Sequence, residues 1–196
     1  GDNSNYGTAR VGTVSGTDIS FGTAAVYHSS SSQYNSSTFD SNSNKVVIAF
    51  RDGGDSDKGK AVVSTVSGTN ISFGTVVEYN GGVTTYVDCA FDSNSNKVVI
   101  VYRDEGSSNR GTAIVGTVSE TSISFGSEVV FEDAAAQWLS VTFDSNVNKI
   151  VVAYKESENN SYGMLALGTV SGASISFASS VSFNQADTTY IGCVFD

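Results

Sequence analysis

The chain has 196 residues, of which ten are basic and twenty acidic, for a formal net charge of −10 at pH 7. That charge opposes a phosphate backbone and argues against nucleic-acid binding. No apolar run approaches the roughly 18 residues of a membrane helix, so no membrane insertion is expected, and any export signal would lie outside this sequence. Hydrophobic residues make up 39% and charged residues only 15%. The remainder is rich in Ser, Thr, Asn and Gly, as half-buried strands joined by polar turns require.

One block recurs without insertion or deletion. Thr-Val-Ser places its valine at Val14, Val66, Val118 and Val170, and Phe-Asp places its aspartate at Asp40, Asp92, Asp144 and Asp196, a spacing of 52. An aromatic stands at Tyr34, Tyr86, Trp138 and Tyr190. Such a period signals a repeat architecture whose units bury their apolar faces against one another. The chain reads as one repeat domain, 1–196: a partial repeat 1–33, repeats 34–85, 86–137 and 138–189, and a partial repeat 190–196.

Taken in order through the second full repeat, four strands are predicted and no helix. Strand a covers Tyr86 to Asp92 and strand b Lys97 to Asp104; the cluster Ser93-Asn94-Ser95-Asn96 between them is short enough to close an antiparallel hairpin. Strand c covers Gly111 to Ser119 and strand d Ser122 to Phe131. Strand b is apolar on both faces (Val98, Val99, Ile100, Val101, Tyr102), which places it inside a sheet covered on both sides. Strand d alternates through Ile123, Phe125, Val129 and Phe131, and the small residue after the phenylalanine (Gly22, Gly74, Gly126, Ala178) suggests a bend or bulge. The fold class is all-β: a β-propeller of four-stranded antiparallel blades, about four in this chain with one incomplete. A β-solenoid is the alternative, and it needs parallel stacking that the short a–b turn disfavours. The chain is a turn and one strand b short of four whole repeats. A ring closed by it alone would leave backbone groups unpaired, so it is expected to be a segment of a longer array or to be completed by another chain.

Carrying the hairpin register outward from the a–b turn sets Tyr34 opposite Arg51, Tyr86 opposite Arg103 and Trp138 opposite Lys155, each followed on strand b by an acid, Asp52, Asp104 and Glu156. An aromatic platform with a cation and a carboxylate suits a sugar, and repetition would add avidity. The bland alternative is a stabilising aromatic–cation pair, and a slip of one residue would move the basic residue to the other face.

Other candidates are weaker. Asp40-Ser41-Asn42-Ser43-Asn44 opens like a calcium loop but lacks the glycine and distal glutamate of an EF-hand, and these are turn residues too; neither a metal nor a cofactor is assigned. Cys89 and Cys193, two repeats apart, read as small buried thiols rather than a disulfide. The only histidine, His28, has no histidine counterpart in the other repeats and is expected to be an exposed strand-end residue. No serine or cysteine has a nearby base, so the chain is read as a non-enzyme.

The stretch from Val141 to Lys155, VTFDSNVNKIVVAYK, resembles the inner hairpin of sialidase-like and fucose-lectin-like propellers. The run from Gly111 to Ser119 followed by Ser122 to Gly126 resembles tandem repeats of marine bacterial and phage surface or fibre proteins. The fucose-lectin-like group implies sugar sites between blades built from an aromatic, an arginine and a carboxylate, which map onto Tyr34, Arg51, Asp52, Tyr86, Arg103, Asp104, Trp138, Lys155 and Glu156. Lys155 departs from that pattern, because it cannot make the bidentate arginine contact. The expectation is therefore an extracellular, cell-surface or virion protein that binds glycans or host-surface ligands at the repeated rim. The alternative is a structural module that assembles with further copies of itself into a fibre or larger ring.

Overall fold

A computed structural model describes residues 5–158 and 160–196. The partial first repeat contributes β1 (Tyr6–Ala9), β2 (Gly12–Ser15), β3 (Asp18–Phe21) and the start of β4 (Ala25–Asp40). Repeat 1 (34–85) continues through β5 (Lys45–Asp52), β6 (Lys58–Ser67), β7 (Asn70–Phe73) and the start of β8 (Val77–Asp92). Repeat 2 (86–137) adds β9 (Lys97–Asp104), a one-turn 3₁₀ helix at Glu105–Ser107, β10 (Arg110–Ser119), β11 (Ser122–Phe125) and the start of β12 (Val129–Asp144). Repeat 3 (138–189) adds β13 (Lys149–Glu156), β14 (Gly163–Ser171), β15 (Ser174–Phe177) and β16 (Val181–Asn184). The protein is all-β, and every strand pair among the described residues is antiparallel.

Strand b matches its predicted bounds, and the a–b turn is locked as its composition requires: Asp92 Oδ1 accepts the N–H groups of Asn94 and Ser95, and Asn96 takes φ 54°. Strand d departs from the reading. It breaks after Phe125, and its second half runs without a loop into strand a of the next repeat, making the 16-residue β4, β8 and β12. The first part of β8 pairs with β6 of repeat 1 and the second part, from Thr84, with β9 of repeat 2. These crossing strands join the four-stranded units into one 14-stranded sheet that does not close on itself.

The small residue after the phenylalanine has a packing reason. A Cβ on Gly74 would lie 1.8 Å from the carbonyl oxygen of Thr121, in the turn of the following repeat, and Gly22 and Gly126 meet Thr69 and Ala173 in the same way. Successive units therefore touch backbone to backbone. Between them lie continuous apolar layers. Val47, Ala49, Ala61 and Val63 of repeat 1 pack against Val98, Ile100 and Tyr102 of repeat 2, and Val99, Val101, Ala113 and Val115 pack against Ile150, Val152 and Tyr154 of repeat 3. The doubly apolar strand b is thus buried between two neighbours, as its sequence required.

Candidate functional site

The aromatic column lies where the long strands change partner. In repeat 1 the pairing runs from Asp40↔Lys45 to Ser36↔Ala49, then slips, so that Gln33 and not Tyr34 stands opposite Arg51. The same slip sets Thr85 opposite Arg103 and Gln137 opposite Lys155. The predicted cross-strand pairs are corrected accordingly: the aromatic is the bulged residue, and it adopts φ 49° at Tyr34, 50° at Tyr86, 54° at Trp138 and 54° at Tyr190. Bulky residues rarely occupy that left-handed region.

The bulge carries each ring along the stacking direction. Ring centroids are 5.7 Å apart for Tyr34–Tyr86, 5.5 Å for Tyr86–Trp138 and 4.5 Å for Trp138–Tyr190, a ladder crossing every repeat boundary. The cations reach it in two repeats: the guanidinium carbon of Arg51 lies 5.7 Å from the Tyr34 centroid, and that of Arg103 lies 5.9 Å from that of Tyr86. Arg51 is also paired with Asp57, Arg103 donates to Asn109 Oδ1, and Lys155 donates to Asp187 Oδ1 at 2.6 Å.

The acids are turned the other way. Neighbouring residues on a strand point to opposite faces, and Asp52, Asp104 and Glu156 are 2%, 8% and 6% exposed. Asp52 is held by Lys60 Nζ at 2.8 Å, by His28 Nε2 at 2.9 Å and by Gly54 N–H. Asp104 Oδ1 lies between Gly82 and Gly106, where added Cβ atoms would sit 3.0 and 3.2 Å from it. Glu156 Oε1 accepts the N–H of Glu158. The structure thus brings the aromatic and the arginine together in repeats 1 and 2 but separates the carboxylate from both. His28 is half-buried against Phe50, with ring centroids 5.0 Å apart, rather than exposed, because its partner Asp52 faces inward.

The residue that sequence comparison missed is Asp88. Its Oδ1 accepts from Ser36 Oγ at 2.6 Å, and its Oδ2 accepts from Val141 N–H at 2.8 Å and Ser140 Oγ at 3.3 Å, so one carboxylate ties together three repeats. Ser140 Oγ likewise accepts from Cys193 N–H. The counterparts of Asp88 are Ser36, Ser140 and Gly192, so aligning the repeats does not single it out. Both cysteines are free thiols. Burial, only partly offset by a hydrogen bond with Ser36, pushes Cys89 up to about 12, which leaves no thiolate for chemistry at neutral pH.

Compared with family models, curated proteins and solved structures, the chain has no significant match. No helix among the described residues is long and apolar enough to cross a membrane.

Proposed function

We propose that this chain is a non-catalytic structural module of an extracellular, cell-surface or virion protein, and that it works stacked against further copies of its own repeat. Its four-stranded units are set radially, as the blades of a propeller. The observation that carries this reading is that the chemistry of the repeat lies in contacts between repeats. Val47, Ala49, Ala61 and Val63 in repeat 1, and Val99, Val101, Ala113 and Val115 in repeat 2, are all 0% exposed and pack on the neighbouring repeat. The aromatic rings stack across every repeat boundary, and Asp88 ties three repeats together. Repeat 3 carries the same apolar positions, Val151, Ala153, Leu165 and Leu167, of which Ala153 is 3% and Leu167 45% exposed. Apolar sheet faces of this kind favour packing against further copies.

A glycan-binding rim is the second reading, favoured by the Arg51–Tyr34 and Arg103–Tyr86 pairs, with Tyr34 still 41% exposed. One set of measurements separates the two. Assembly predicts light scattering that rises with concentration and is abolished by Leu167→Lys, with no sugar retained on a glycan array. Retention of sugars by a strictly monomeric chain, lost in Tyr34→Ala, would replace assembly with the lectin reading.

A further inference from the structure

Asp52 and Asp104 hold the same place in successive repeats, yet only the first is neutralised. Three nitrogens surround Asp52: Lys60 Nζ at 2.8 Å, His28 Nε2 at 2.9 Å and the Gly54 N–H at 2.9 Å. One period on, their places are taken by Thr112, Asn80 and Gly106. None of these donates to Asp104 Oδ1, which is buried and has no hydrogen-bond partner among the described residues. Asn80 directs its amide nitrogen to Thr84 Oγ1 and its oxygen to the Gly82 N–H. Gly106 lies in the 3₁₀ turn Glu105–Ser107, which Asp104 precedes without making a side-chain cap bond.

Oxygen stands where the nitrogens were. Thr112 is 2% exposed, and its Oγ1 is also buried without a partner. It shares a face with Asp104, because Thr112 stands opposite Tyr102 and Arg110 opposite Asp104, and residues two apart on a strand point the same way. Lys60 reaches Asp52 from the matching position. A Cβ on Gly82 would lie 3.0 Å from Asp104 Oδ1 and 3.4 Å from Asn80 Oδ1, so the two oxygens flank one point of the backbone. The basic residues beside them are committed elsewhere: Arg110 Nε pairs with Asp133 Oδ1 at 3.5 Å, and Arg103, on the other face, bonds Asn109. A carboxylate buried without a countercharge is strongly unfavourable. Oxygen ligands suit a hard cation. One carboxylate among neutral oxygens matches a single positive charge, whereas a calcium ion is usually held by several carboxylates.

We propose that Asp104, Thr112 and Asn80 bind a monovalent cation of the sodium or potassium class, in the place that the Lys60 ammonium takes in repeat 1. The ion neutralises Asp104 and ties β9, β10 and the first half of β8 together at the rim. The site lies within repeat 2 and its junction with repeat 1, so it goes beyond the assembly reading and does not depend on how copies associate.

The test is urea denaturation of the 196-residue chain in potassium, sodium and tetramethylammonium chloride at one ionic strength, the last cation being too bulky for the site. Stability is expected to rise saturably with potassium or sodium, the folding equilibrium constant gaining about tenfold at about ten times the dissociation constant. Asp104→Asn should abolish that response. Thr112→Lys, which copies repeat 1, should abolish it too and make the chain in tetramethylammonium as stable as the unmodified chain in the better salt. Where the lysine does not fit and the variant fails to fold, Asp104→Asn decides. Equal stability in the three salts would overturn the proposal and leave Asp104 to a water molecule or to Arg110. So would a saturable response that survives Asp104→Asn, or a response to calcium alone.

Discussion

At Asp52, burial alone would raise the carboxyl pKa, but the Lys60 ammonium, His28 and the Gly54 N–H together hold it down at about 2, below its ordinary 3.8. A depressed carboxylate stabilises the fold above the unfolded value, and that contribution disappears as pH falls from about 4 toward 2, where the unfolded chain binds the extra proton first. Replacing Lys60 with Met should leave a carboxylate buried without its ammonium, destabilise the chain by on the order of 2–3 kcal/mol at neutral pH, and flatten the acid limb of stability. Urea titrations of both proteins between pH 2 and 7 measure this; an unchanged acid limb would refute the ion pair. The sequence marked position 52 and its counterparts as acidic but set them on the wrong side of the strand. Strand alternation was legible, but which face carries the cation depends on Lys60 from another strand and His28 from another repeat.

Three aromatics in the long strands, and Tyr190 at the equivalent place after the last strand, sit where the backbone has positive φ, a conformation that costs a bulky residue about 1–2 kcal/mol. The ring stack holds them there. Tyr190, which stacks on Trp138, takes the same conformation. At this position the usual order of small residues should invert. Tyr86→Gly and Tyr86→Ala both lose the contacts with Tyr34 and Trp138, but glycine accepts φ 50° without strain, so the glycine variant should be the more stable by about 1 kcal/mol. Chemical denaturation of the two variants reads the difference, and a more stable alanine variant would mean that the backbone relaxes once the ring is gone. Strand b was legible to the residue because Val98 to Tyr102 leaves no polar face to place. The fusion of d with a was not, because Tyr86 is no turn former and nothing local announces a bulge there.

Across the whole molecule, apolar faces of successive repeats pack against one another, and Asp88 ties three repeats together. If the units are radial, images of assembled material should show closed rings with a central opening; straight rods would replace the propeller with a stacked, solenoid-like array. The amino-acid pattern on its own determined the 52-residue unit, its strands b and c, its polar a–b turns and the burial of strand b, because turn chemistry and apolar alternation act between near neighbours along the chain. Only the tertiary structure decided that the aromatics stack on one another, that the acids turn inward and that Asp88 joins the repeats. A single bulged residue inverts every face beyond it, and whether it forms is settled by contacts between residues a full period apart.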